Sequence, residues 1–420
     1  MPFFSGVRRR PARRVRPSFR DPRFALLLAG QSVNSVGSWA SAIVLWGFAA
    51  YRFHASPEAI SVTVMCWSVP SAVLSPLTGA LTDRFGPRPM LIAGYLGAAG
   101  AALAMAAAGS LSVLDAMAAA YGVAMSLSGP AGSALPPRVV ESGDLLAANS
   151  LLGVTGSIGQ VAGPLAASVL LAFAGFRAAF DADAATYLAG VVVLLPLPLR
   201  PRPEASPGPA RRARRRALTA GVAALARDPG LRLVALAKVA VSFTSGAFLV
   251  VEPLYARRVL GRPPSQFALF EAVIGIGAIV TGLAIPRVRR RLPGTRSWVT
   301  PLAAGALGYG LAAALFTGTT WVLAAYLGAF AWGASGTVFY VVAATALQRL
   351  APADALGRVA GAVSTAESAS GTVAMPVAGA LLAVAGIRSG ALVLAGVAVA
   401  AGAACLTRKT ARAEVTSMRT

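Results

Sequence analysis

Apolar residues run along this chain in long stretches, and polar residues collect in the short gaps between them. A helix needs about 20 mostly apolar residues to cross a bilayer, and twelve such stretches can be placed. The first six run roughly 24–52, 59–82, 88–110, 113–137, 145–175 and 178–199; the second six run roughly 231–256, 266–286, 297–316, 320–347, 359–384 and 387–407. The pattern predicts an all-α polytopic membrane protein with 12 transmembrane helices. Within two of these stretches the polar residues keep helical spacing. Gln31, Asn34, Ser35, Ser38 and Ser41 form one stripe on the first span, and Lys238, Ser242, Ser245 and Glu252 form another on the seventh. Each stripe is expected to face protein or water, so the two helices are expected to present polar faces to a shared central cavity. Tyr121, Met125 and Ser128 on the fourth span, with Trp332, Ser335 and Phe339 on the tenth, are candidate lining residues of the aromatic and polarizable kind that suits an amphipathic ligand.

Composition agrees with the pattern. The 420 residues are 56% hydrophobic and 13% charged, with a mean hydropathy of +0.68, whereas a soluble domain carries about 25% charged residues. The net charge of +23 would suggest nucleic acid in a soluble protein, but no aromatic-interleaved basic domain is present. Thirty-one of the 38 Lys and Arg fall on one side of the twelve-span arrangement and six on the other, with Lys238 left inside a span. This bias predicts cytoplasmic N- and C-termini in the cell membrane, with the basic loops able to attract anionic lipid headgroups. Residues 1–23 read as a basic cytoplasmic tail, 24–199 and 231–407 as two six-helix bundles, 200–230 as a Pro- and Arg-rich cytoplasmic linker, and 408–420 as a second tail. The bundles read as a repeat. Gly86 and Arg88 recur as Gly294 and Arg296, 208 positions on, and Arg138 recurs as Arg349 at an offset of 211. Cys66 and Cys405 lie in or beside apolar runs and read as small buried hydrophobes.

Ionisable residues inside apolar spans are functional candidates. Glu367 lies about 12 Å into the eleventh span by helical rise, and Lys238 at similar depth in the seventh. Either the two act in proton coupling or they form a fixed structural pair. Asp181 and Asp183 open the sixth span near the outer surface, as gate, structural or alternative coupling residues; Glu252 and Glu271 also read as lying near the outer side. The single histidine, His54, sits in an outer loop, so a carried proton would need a carboxylate. No cofactor or metal is expected, and no nucleophile triad or phosphate-binding loop suggests an enzyme.

Gly79-Ala80-Leu81-Thr82-Asp83-Arg84-Phe85-Gly86-Pro87-Arg88 resembles the signature loop of the major facilitator superfamily, with Gly79, Asp83, Arg84, Gly86 and Arg88 matching and Pro87 replacing a basic residue. Gly30 to Trp39, Gly129-Pro130-Ala131, Pro137-Arg138-Val139-Val140-Glu141, Leu347 to Pro352 and Gly357-Arg358-Val359 resemble that superfamily's drug and siderophore exporter branch, which includes enterobactin exporters and macrolide efflux proteins. Gly159-Gln160-Val161-Ala162-Gly163-Pro164 is similar to the Gly-rich motif that the superfamily associates with antiporters, with Ala167 in place of Gly at the final small position. The Arg that many proton-coupled relatives carry within the fourth span is missing, Arg138 being the nearest.

The resemblance implies the major facilitator fold, two six-helix pseudo-repeats rocking about a midplane site. It implies gating roles for the signature loop, Arg138, Gly159, Gly163 and Pro164, and a meeting of Lys238 with Glu367. The expected function is export of a small amphipathic compound by proton antiport, by a protein expected to be a monomer. An importer of a small metabolite is the alternative, with a membrane receptor or lipid scramblase more distant. The charge bias makes one expectation directly measurable: reporter fusions at both termini and within 200–230 should all report the cytoplasm, and a terminus found outside would overturn the topology.

Overall fold

The computed structural model describes residues 22–141, 144–197, 199, 223–291, 298–352 and 355–417. Most of the basic N-terminal tail, the linker from 200 to 222, and Gly294 with Arg296 lie outside the described residues. Twelve long helices follow in order: α1 Pro22–Tyr51, α2 Pro57–Phe85, α3 Pro87–Ala106, α4 Leu111–Ala134, α5 Leu145–Phe173, α6 Gly175–Leu194, α7 Pro229–Leu254, α8 Pro264–Arg291, α9 Val299–Gly318, α10 Val322–Leu350, α11 Leu356–Ala385 and α12 Ile387–Ser417. Eleven of them are long and apolar enough to cross a membrane. The other, α6, carries Arg177, Asp181 and Asp183 within its 20 residues.

Helix starts are written locally. Ser56 accepts from Ala59 N at 3.3 Å ahead of Pro57, Ser110 accepts from Val113 N at 3.3 Å, and Asp228 accepts from Gly230 N and Leu231 N at 2.6 and 2.9 Å ahead of Pro229. Each cap satisfies N–H groups that a helix leaves unpaired at its start, and proline at the first position has no such group to lose. Pro87 does the same for α3 after Gly86, whose φ of +89° makes the sharp α2–α3 turn. The residue that departs from the family loop therefore starts a helix.

The two halves pack alike. In the first, α1 packs on α5 and α6, α2 on α4, α3 on α4 and α6; in the second, α7 packs on α11 and α12, α8 on α10, α9 on α10 and α12. Small residues at the crossings repeat as well. Gly122 of α4 lies against the Trp67 carbonyl of α2, and Gly333 of α10 against the Ile274 carbonyl of α8. Gly94 and Gly97 of α3 face Ser128 and Ala124, while Gly305 and Gly308 of α9 face Phe339 and Ser335. Every one of these residues except Trp67 has its counterpart 211 positions later, the offset that links Arg138 to Arg349. Close approach at small residues is how helices associate where lipid removes the hydrophobic drive.

Between the halves, α2 packs on α11 and α5 on α8, two interfaces that the repeat exchanges. Contacts across them gather toward one end: Ser68 with Met375, Ser168 Oγ donating to Ser265 O at 2.8 Å, and Gly379 against Ser61 and Glu58. At that end every residue of α1 from Ala40 to Ala50 is buried, and in α7 all but Leu249 from Gly246 to Ala256. Toward the start of both helices buried and exposed positions alternate, and consecutive residues Ala72–Val73 and Ser75–Leu77 of α2 and Ser364–Ala366 of α11 are exposed. The halves thus close at the α1–α2 and α7–α8 connections and part at the end from which α1 and α7 begin.

The crossing at Gly333 predicts a stability cost. A methyl built there overlaps the Ile274 carbonyl oxygen, whereas one at Gly100 meets nothing within 4 Å. Gly333→Ala should lower stability by about 1–3 kcal/mol, seen as a lower melting temperature in detergent, with Gly100→Ala close to the parent.

Candidate functional site

Each half carries a polar cluster within its spans. In the second half, Lys238 Nζ of α7 donates to Glu367 Oε2 of α11 at 2.9 Å, with side chains only 16% and 18% exposed. The same two helices are tied by Ser242 Oγ to Glu367 O and by Ser370 Oγ to Val239 O, both at 2.9 Å. Gly246 meets the Gly371 backbone just above them. A lone buried charge costs several kcal/mol, which the partner offsets. The pair lies in the first half of α7 and of α11, the stretch where the two bundles part.

Other expected lining residues turn away from that opening. Ser245 Oγ pairs with Tyr309 OH of α9 at 2.6 Å. Trp332 is buried, its ring 4.8 Å from Phe248 and 5.5 Å from Tyr309 between centroids. Ser335 lies on Gly308, Ser128 on Gly94, and Phe339 on Gly305, inside their halves. These positions belong to helix packing. Periodicity finds the polar or aromatic face but not the neighbour it meets, and glycines on α3 and α9 open room for side chains there.

The α1 stripe is built into the first half's interior. Tyr95 OH donates to Gln31 Oε1 at 2.7 Å; Ser38 Oγ lies 2.8 Å from Tyr187 OH, which is 2.5 Å from the buried Tyr121 OH and 3.5 Å from Met125 Sδ. Asn34 is buried beside them. Ser41 Oγ donates to Asp183 Oδ2 at 2.5 Å. Asp183 is 2% exposed, and its Oδ1, like Asn34 Oδ1, has no hydrogen-bond partner among the described residues.

The expectation that Asp181 and Asp183 share the outer surface is corrected here. The α5–α6 turn at Gly175, with φ of +79°, starts α6 earlier, so Asp183 lies about 12 Å along the helix. Two residues apart on a helix point to nearly opposite sides. Asp181 stays at the surface, its side chain 48% exposed and 4.0 Å from Arg177, an exposed pair worth little. Glu252 keeps the expected depth, two residues from the end of α7, but it is buried rather than at a surface: it is 4% exposed, and its carboxyl interacts with Glu271 of α8. Sequence reasoning missed this pair, although two glutamates on consecutive apolar spans were its signal.

At the parted end, Gly86 donates to Thr82 O at 2.9 Å and lies by the half-buried Arg138 of the Pro136–Val139 turn, while the Arg84 guanidinium stacks 5.2 Å from the Phe85 ring. Asp83 is exposed, Arg88 half-buried, and Gly79 has open space around it. Gly159 and Gly163 lie on Ser35 and Trp39 of α1, with Pro164 and Ala167 buried beside them. The Gly-rich motif makes the α1–α5 crossing within one half, the counterpart of Gly246 and Gly371 between α7 and α11.

The profile of the Major Facilitator Superfamily matches residues 27–375. The chain is 26% identical over 382 residues to YfiS of Bacillus subtilis (strain 168), an uncharacterized MFS-type transporter, covering 87% of this chain and 88% of that protein. It is 28% identical over 270 residues to another, y4rN of Sinorhizobium fredii (strain NBRC 101917 / NGR234), covering 62% and 65%. In fold it resembles the nucleoside transporter NupG, with a TM-score of 0.75 at 12% identity over 92% of this chain and 99% of that one. It also resembles a bacterial homolog of the human lysosomal transporter Spinster in an inward-facing, occupied conformation, at 0.71 and 14% over 93% and 97%. Peptide transporter POT in complex with sulfate gives 0.71 and 14% over 92% and 94%. The chain is a multi-pass membrane transporter and not an enzyme, and it belongs to the Major Facilitator Superfamily.

Proposed function

We propose that this protein exports a small amphipathic compound from the cell by alternating access, coupled to proton entry. The observation that carries the reading is the Lys238–Glu367 pair, a titratable contact on the inner half of the opening between the halves. Export is supported by the likeness of the Gly159–Pro164 stretch to the antiporter motif and by the resemblance of Gly30 to Trp39, Pro137 to Glu141 and Leu347 to Pro352 to the exporter branch. Import is the second reading, favoured by the fold likeness to NupG and to peptide transporter POT.

In this mechanism the protein sits in the cell membrane with the parted end toward the cytoplasm, where the basic loops lie, and works as a monomer of two six-helix bundles, 24–199 and 231–407. Substrate enters between α1, α7 and α11, meeting Ser242, Lys238 and Glu367. A proton on Glu367 removes the carboxylate charge and frees Lys238, loosening the α7–α11 contact as the halves rock about the α2–α11 and α5–α8 interfaces. Asp83, Arg84, Arg88 and Arg138 hold the cytoplasmic end once it closes.

Two measurements test the proposal. In proteoliposomes loaded with a labelled panel of amphipathic and polar compounds, an imposed pH gradient should accelerate movement of an amphipathic one toward the acidic side; gradient-independent uptake of a polar metabolite would favour import. For the pair, Lys238→Met or Glu367→Gln alone should cost about 3–5 kcal/mol of stability by stranding a buried charge. The double variant should recover most of that loss and still bind substrate, yet not respond to the gradient. Gradient-driven transport by the double variant at the parent rate would move coupling to Asp183 or to Glu252 with Glu271.

A further inference from the structure

The closed end is tied by side chains that no part of the transport cycle above uses. Helix α7 does not stop at Leu254; it widens into a π-helical turn, Tyr255–Val259, before Gly261 reverses the chain with φ of +61°. That turn carries Arg257 and Arg258 across to the other half. Arg257 Nη1 donates to Ala50 O at 2.6 Å, Arg257 Nη2 contacts His54 Nδ1, and Arg258 Nη2 donates to Ala55 O at 2.8 Å. The receiving groups are the end of α1 and its loop. Phe48 O and Ala49 O are taken by Arg52 N and Ala55 N at 2.9 and 3.2 Å, and Ala50 O is taken by Arg257. A guanidinium from the second half thus caps the C-terminus of the first half's central helix, where the helix dipole favours a cation. His54 holds its place with a φ of +54°, unusual for a residue other than glycine.

The chemistry of this contact depends on protonation. Every guanidinium nitrogen is a donor, so His54 Nδ1 has to be the acceptor. A protonated imidazole has no acceptor nitrogen and places a third positive charge beside Arg257 and Arg258. Around it stand Arg52 on the same loop, Tyr51 at the end of α1, which interacts with Arg257, and the exposed Glu58 at the start of α2, which interacts with Arg258. Glu58 is the one carboxylate in this set. Histidine ordinarily changes charge between about pH 5 and 8, within reach of an acidified outer face, and this chain has a single histidine.

We propose that His54 and Arg257 form a proton-sensitive latch on the outer side, which holds the two halves together there while His54 is neutral and releases them when His54 is protonated. The inference rests on the alternating-access reading, and it lets external acidity open the face that must open for substrate to leave.

Spin labels test it without a known substrate. In the full-length protein in nanodiscs, with Cys66→Ala and Cys405→Ala, labels at Val62→Cys on α2 and Pro263→Cys before α8 report the separation of the halves at this end. From pH 8 to pH 5 the long-distance population should rise several-fold. His54→Gln, which keeps an acceptor without a titratable ring, should hold the short distance at both pH values. Arg257→Gln should populate the long distance at both. A pH response that survives in His54→Gln, or its absence in the parent while Arg257→Gln still opens, would overturn the latch and leave alternating access standing. A separation that neither pH nor Arg257→Gln changes would count against both.

Discussion

Inside a bilayer there is no water to satisfy a backbone N–H or C=O, and that constraint shapes this molecule more than any single side chain. Each crossing segment has to be a helix. Helices of this kind gain little from burying leucine against one another, because lipid tails are equally apolar; they associate where backbones come close and polar atoms find partners. Gly122 on Trp67 and Gly333 on Ile274 are that principle at two repeat-related crossings. The serines that donate to carbonyls of neighbouring helices, Ser370 to Val239 and Ser168 to Ser265, are its polar counterpart.

Polar groups in such an interior need explanations, and the two halves solve the problem differently. In the first half hydroxyls dominate: Ser38, Tyr121 and Tyr187 share hydrogen bonds in a buried network, and the buried acid Asp183 accepts from the Ser41 hydroxyl. In the second half charges dominate, as an ion pair between α7 and α11 and a carboxyl pair between α7 and α8. The hydroxyl network makes a stiff bundle, since each of its bonds lies within one half. Lys238 and Glu367 differ in lying beside the opening, where a change in protonation could reach a moving part.

The closed end shows how tightly a rocking fold must be held where it is shut. Arginine is suited to this because its planar fork can serve a helix terminus and a side chain together, as Arg257 does with Ala50 O and His54. The contact is one-sided: Arg388 at the start of α12 reaches Gly318 O at the end of α9, within its own half. The pseudo-symmetry of the helices thus does not extend to the chemistry at their ends.

What the sequence by itself determined was set by local rules: long apolar runs for the twelve helices, prolines and capping residues for their starts, and the repeat for their arrangement in two halves. Lys238 and Glu367 were legible because charge inside an apolar run is conspicuous, and the family resemblance put their helices side by side. Rotation and depth were decided only by the tertiary structure. Periodicity put Tyr121, Ser128, Ser245, Trp332 and Ser335 on one face or another but could not say that Tyr187, Gly94, Tyr309, Phe248 and Gly308 would meet them. Asp183 left the surface because a turn at Gly175 shifted its helix, and Glu252 met Glu271 because two helices cross there. Such meetings depend on where helices cross in space, a property of twelve packed segments together that no single stretch of sequence contains.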